Sequence, residues 1–164
     1  MIRKANPDDI SRIAEILIFT KRSTYRSIFQ IDKVSFGDMQ VLPLALEYQN
    51  NPGLIENIIV YDDEFVKGMA NTKEYAADDG AMIIEIVEIY VDPFFQGLGI
   101  GRALLEEIER YGKNRKINEI SLWVLEKNTG TRAFYEKYGF ELSGEKKLEE
   151  GTTEYIVRYA KRFN

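Results

Sequence analysis

The chain has no cysteine and no histidine among its 164 residues. Without cysteine there is no disulfide, no thiolate metal site and no thiol nucleophile. Without histidine the commonest general base and the commonest zinc ligand are missing as well, so no metal is expected. Acid–base chemistry then falls to Asp, Glu, Lys, Tyr, a terminus or water. Long apolar runs are also lacking. None approaches the roughly 18 residues of a membrane span, and Met1-Ile2-Arg3-Lys4-Ala5 lacks the apolar stretch of a signal peptide. The expectation is a soluble, cytoplasmic protein with no membrane partner. A clustered basic face is absent too. The 22 basic and 27 acidic residues are mixed along the chain, for a net charge of -5. That argues against a nucleic-acid partner and is compatible with a cationic small substrate.

What is present fits one domain over residues 1–164, with enough apolar residues (45%) for a proper core. Residues 2–5 are β-compatible. Asn6-Pro7-Asp8-Asp9 reads as a helix start, with a capping Asn, an early Pro and acids near the positive end of the dipole. Ile10, Ile13, Ala14 and Leu17 follow at helical spacing, and the helix is expected to reach Phe29. A second helix is expected between Phe36 and Tyr48. Strands are expected at 54–61 and 64–73 around an Asp62-Asp63 turn, then at 82–91. A helix at 100–111 presents Ile100, Leu104, Ile108 and Tyr111 on one face. Then come a strand at 120–125, a helix at 129–138 stopped by Gly139, and a closing hairpin of 140–147 with 153–159. The order β, α(α), β, β, β, α, β, α, β, β is mixed α/β.

Gln96-Gly97-Leu98-Gly99-Ile100-Gly101-Arg102 follows a strand ending in Val91-Asp92-Pro93 and opens a helix. A helix N-terminus carries unpaired N–H groups and partial positive charge, and both suit phosphate oxygens. Glycine lets the backbone approach an anion closely. Taken alone, the loop also fits a tight strand-to-helix connection whose glycines serve packing. A Walker loop is excluded because no Gly-Lys-Ser/Thr occurs. A dinucleotide-binding oxidoreductase fits poorly. Arg102 stands where a third glycine is needed, and the second half of a doubly wound sheet is missing.

Two stretches together resemble the GNAT superfamily of N-acetyltransferases. The first is Ile89-Tyr90-Val91-Asp92-Pro93-Phe94-Phe95-Gln96-Gly97-Leu98-Gly99-Ile100-Gly101. The second is Leu122-Trp123-Val124, then Asn128, then Phe134-Tyr135-Glu136-Lys137-Tyr138-Gly139-Phe140. One departure is Gly130-Thr131, where many members have Ala at the second position. The resemblance implies a mixed, mostly antiparallel sheet of about seven strands, splayed in the middle and flanked by about four helices. It implies acetyl-CoA as cofactor, an amine or peptide as acceptor, and often a homodimer. Backbone groups of Ile89, Tyr90 and Val91 then pair with the pantetheine arm. The amides of Gln96, Gly97, Leu98, Gly99, Ile100, Gly101 and Arg102 receive the pyrophosphate. Asn128 touches the pantetheine or the helix turn. Arg132 and Lys137 are adenosine-phosphate partners or a solvated helix face.

Acyl transfer needs a neutral amine, a stabilised oxyanion and a proton for the thiolate. By resemblance Tyr135 is the acid, with packing beside Phe134 as its other role, and an amide near Val91 holds the oxyanion. Glu88 is the favoured base and Glu85 the alternate. Three positions apart, they point to opposite faces of a regular strand, and either is equally read as a solvated acid. Tyr25, Phe29, Tyr90 and Trp123 are candidates to line the acceptor site, or core aromatics. The alternative to an enzyme is an acyl-CoA-binding sensor without turnover.

Overall fold

The computed structural model describes residues 1–29 and 32–163, save the side chains of Phe29, Val34 and Ser35. Seven strands and four α-helices follow the expected order. They are β1 (Ile2–Lys4), α1 (Ile10–Phe29), α2 (Val41–Asn50), β2 (Ile58–Asp63), β3 (Phe65–Ala76) and β4 (Met82–Val91). After them come α3 (Ile100–Asn114), β5 (Glu119–Leu125), α4 (Thr129–Lys137), β6 (Glu141–Leu148) and β7 (Tyr155–Arg162). The sheet order is β1-β2-β3-β4-β5-β7-β6. The β4–β5 pair is parallel, while β1–β2, β2–β3, β5–β7 and β6–β7 are antiparallel. The parallel register runs from Ile83↔Glu119 to Ile86↔Leu122, although β4 continues to Val91 and β5 to Leu125.

By internal contacts the chain divides into two compact units. One is Met1–Thr72 with Glu88–Ile108; the other is Lys73–Val87 with Glu109–Asn164. In the first unit, Ile10, Ile13 and Ile16 of α1 pack on Ile58 and Val60 of β2 and Met69 of β3. Each such side chain, taken fully from water, contributes about 1.5–3 kcal/mol. Asn6 begins the helical segment as expected. Its side chain accepts from the Asp8 amide at 2.9 Å, and Asp9 accepts from the Asn6 amide at 2.9 Å. In the second unit, Gly112 of α3 lies where an added Cβ would meet Phe163 at 3.3 Å and Ile84 at 3.4 Å. Ile120, Leu122, Phe140 and Tyr159 fill its interior.

Four expectations shift. The helix expected at 36–48 begins at Val41, because Gln40 is extended (φ -125°, ψ 138°). Lys33–Asp38 instead forms a π-helical turn. Pro43 is tolerated because it falls in the first turn of α2, where its missing N–H has no intrahelical partner to lose. The strand expected from Leu54 begins at Ile58, after Pro52–Ile55 has wound into a 3-10 turn. The hairpin turns at Glu64 (φ +66°) rather than at Asp62-Asp63. Tyr111 is 43% exposed and bonds Glu74 at 2.7 Å rather than joining the face of Ile100, Leu104 and Ile108.

Candidate active site

In the first unit the glycine loop is built from a strand irregularity. The β2–β3 register passes from Tyr61↔Gly68 to Asp62↔Val66, leaving Lys67 as an extra residue. Such a bulge takes residues out of the ladder. The Val66 carbonyl accepts from Arg12 Nε at 2.8 Å, and the Lys67 carbonyl accepts from the Asp92 amide at 3.0 Å. Arg12 Nη2 meets Asp92 Oδ2 at 2.6 Å, and Asp92 Oδ1 caps the Phe94 amide at 2.9 Å. Asp92 is 5% exposed. A buried carboxylate is tolerated only when paired and hydrogen-bonded, and here one group fixes the Pro93–Phe95 turn from which the loop leaves.

Gln96, Gly97, Leu98 and Gly99 are exposed, while Ile100 is buried beneath them. Gly97 (φ +79°) and Gly99 (φ +82°) hold left-handed conformations that disfavour a side chain, with open space where a Cβ would sit. The first amide of α3 to find a helical carbonyl outside the regular ladder is Ala103, on Gly99 at 3.0 Å. The amides of Ile100 and Gly101 are therefore in the first turn, where N–H groups have no intrahelical acceptor. Gly68 allows this: a Cβ there would lie 2.8 Å from Ile100 Cγ2 and 3.1 Å from the Tyr90 carbonyl. Arg102 pairs with Glu106 at 2.7 Å on the surface.

Beside the loop, α1 meets the end of β4. Thr20 Oγ1 and Gln96 Nε2 each donate to the Val91 carbonyl at 3.2 Å. Lys21 Nζ lies 3.3 Å from Glu88 Oε1 and 5.9 Å from the centre of the Tyr90 ring. The hydroxyls of Tyr25 and Tyr90 are 3.2 Å apart. Burial and the nearby Glu88 charge push the Tyr48 phenol well above its ordinary value.

In the second unit, Asn128 caps α4: its Oδ1 accepts from the Thr131 amide at 3.2 Å. Arg132 donates to Tyr159 Oη at 3.0 Å and to the Glu126 carbonyl at 3.1 Å. Tyr159 in turn donates to Glu136, and burial is the first cause raising its phenol. Tyr135 is 3% exposed, its ring edge-on to Phe134 and Phe140 at 5.2 and 5.5 Å. Lys137 is exposed. Glu85 pairs with Lys73 at 3.0 Å. Trp123 is half-buried under Lys147 Nζ, 4.2 Å from its ring, and lines a polar cleft of about 1040 Å³ with Glu119, Glu145 and Arg158.

With this geometry in hand, the model of the acetyltransferase (GNAT) family matches residues 22–140. The chain belongs to the GNAT family. An uncharacterized N-acetyltransferase of Methanocaldococcus jannaschii, MJ1207, is 41% identical over 76 residues, covering 46% of this chain and 32% of that protein. The chain thus spans about a third of that relative. An uncharacterized N-acetyltransferase of Archaeoglobus fulgidus is 28% identical over 137 residues, covering 82% and 88% of the two chains. The crystal structure of PaiA N-acetyltransferase from Thermoplasma acidophilum in complex with coenzyme A is similar at a TM-score of 0.69. Its identity is 23%, covering 99% and 98% of the two chains. Among the described residues no helix is long and apolar enough to cross a membrane.

In this GNAT chain the loop amides, Ile89, Tyr90, Val91, Tyr25 and Glu88 fall in the first unit. Glu85, Trp123, Asn128, Arg132, Tyr135 and Lys137 fall in the second. Phe29 ends α1, and its side chain lies outside the described residues. Glu85 pairs with Lys73 and Glu88 with Lys21 of α1. On β2–β3 that helix packs on the face opposite α3, since Met69 joins the α1 cluster while Gly68 abuts Ile100 and Leu104. Arg12, Thr20, Lys21 and Gly68 were not anticipated. Only Gly68 carries a sequence signal, as a glycine inside a strand pattern.

Proposed function

We propose that this GNAT chain is an acetyl-CoA-dependent N-acetyltransferase that passes an acetyl group to a primary amine by direct attack. The observation that carries the reading is the loop: two left-handed glycines with open Cβ sides, leading into the first turn of α3 over the buried Ile100. That is where pyrophosphate oxygens are best received. The coenzyme A held by the PaiA structure supports it. Ile89, Tyr90 and Val91 offer backbone to the pantetheine, and an amide near Val91 faces the developing oxyanion. Glu88 takes the amine's proton, directly or through water, and Tyr135 returns one to the thiolate.

The acceptor class is a small-molecule amine, a polyamine or a peptide N-terminus. Calorimetric titration with acetyl-CoA, followed by thiol release over a panel of such amines, tests the reading. Binding together with release for some amine is expected; no acetyl-CoA binding by folded protein overturns it. A second reading, an acyl-CoA sensor without turnover, is favoured by one observation: Glu88 already has a cation partner in Lys21. Binding with no release for any amine or peptide selects that reading.

A further inference from the structure

The Lys21–Glu88 pair sets an amine against the carboxylate read as the base. Lys21 Nζ is 3.3 Å from Glu88 Oε1, with side chains 27% and 16% exposed. The ammonium also faces the Tyr90 ring at 5.9 Å. Its position is tied to the strand end. Thr20, the preceding residue, is 6% exposed and donates to the Val91 carbonyl, the same oxygen that receives Gln96 of the glycine loop. Lys67, the other ion-paired lysine of this unit among the described residues, sits instead on the hairpin with Asp63, whose side chain is 59% exposed.

A partly buried ion pair is ordinarily structural, and breaking it leaves an uncompensated charge. Beside an acyl donor the same pair is also a nucleophile with its base attached. We infer that Lys21 is itself an acetyl acceptor, modified in cis when no external amine is present. The inference rests on the acetyltransferase reading above. Lys21 gives one proton to Glu88, and the neutral amine attacks the thioester carbonyl. The N–C bond forms and the C–S bond breaks. The amine's second proton ends on the departing thiolate, so acetyl-lysine and the free thiol of coenzyme A result and one proton is released through Glu88. The acetylated side chain has no charge, which leaves Glu88 without its internal cation and open to an ammonium from outside.

The test is to incubate the whole chain with acetyl-CoA alone and to follow acetylation of each lysine by peptide mass spectrometry. Uncatalysed acetylation tracks exposure, so Lys127, at 63% side-chain exposure, is the internal reference. The expected result is that Lys21 is modified faster than Lys127, at a first-order rate independent of protein concentration. Glu88→Gln should slow Lys21 about 100-fold relative to Lys127, with acetyl-CoA affinity by calorimetry confirming that the variant is folded. If that variant does not bind, Glu88→Asp takes its place, and Lys21 should again slow relative to Lys127. Acetylation of Lys21 no faster than Lys127, in protein that binds acetyl-CoA and releases thiol with an added amine, overturns this inference alone. Equal modification of Lys21 in wild type and the folded variant, or in urea-unfolded chain, also overturns it. Failure to bind acetyl-CoA at all removes the acetyltransferase reading and this inference with it.

Discussion

Two helices of this chain each follow a strand through a short loop, and they begin in opposite ways. The α4 helix is closed by its own side chain, since Asn128 accepts from the Thr131 amide. The α3 helix begins after Gly99, which has no side chain to offer, and its loop is exposed while Ile100 beneath is buried. A capped terminus has spent one of its free amides, and an uncapped one keeps them for a ligand. The comparison separates a site made of backbone from a site made of side chains. It also locates the support of the first in the Arg12–Asp92 pair under the turn.

The largest effect should come from closing the open helix. Gly99→Glu places a carboxylate at φ +82°, where side chains are rarely tolerated, and turns it toward the anion position. Acetyl-CoA binding by calorimetry should fall below detection while the far-ultraviolet spectrum stays folded. Retained affinity would remove the loop from the cofactor site. Tyr135→Phe should act in the other way. Removing one hydroxyl from the buried ring leaves its edge contacts with Phe134 and Phe140. The rate of thiol release should fall about 100-fold, with cofactor affinity nearly unchanged. A matching loss of affinity would make Tyr135 a packing residue.

The support can be broken separately. Arg12→Ala leaves Asp92 buried without its cation, at a cost of about 3 kcal/mol, and frees the Val66 carbonyl. Chemical denaturation should report the loss, and acetyl-CoA affinity should weaken because the Pro93–Phe95 turn loses its anchor. A stability loss with unchanged affinity would detach the pair from the loop's function.

This division explains what was legible in the sequence. Local rules found β4 at its observed bounds, the glycine loop and the Asn6 cap, because each depends on a few neighbouring residues. Arg12 and Asp92 are 80 positions apart, and nothing local marks them as partners. Strand alternation likewise says nothing of the partner of Glu88, which is Lys21, 67 positions away. Asn128 was legible as a special residue, and its side chain caps α4. The 3-10 turn at Pro52–Ile55 delayed β2 by four residues, from the expected Leu54 to Ile58.

The smallest effect belongs to a third helical start, where the cap is itself held by a cation. Asp9 closes the turn before α1 by accepting from the Asn6 amide, and Arg3 grips the same carboxylate through two nitrogens at 2.7 and 2.8 Å. The Arg3 hydrogen bonds hold the Asp9 carboxyl below the usual carboxylate range. A depressed value in the folded state means that the protonated form is favoured on unfolding. The contribution is therefore complete above about pH 4, the ordinary Asp value, and is lost as pH falls through the depressed one. Asp9→Asn should lower stability by about 1 kcal/mol at neutral pH. Its denaturation midpoint should trail the wild type by a constant gap from pH 7 to pH 5, and the gap should narrow only below about pH 4. A gap that closes already between pH 7 and pH 5 would mean that Arg3 does not set the titration of Asp9. Acetyl-CoA affinity should not change, because this cap lies in the turn before α1 and supports neither the start of α3 nor Tyr135.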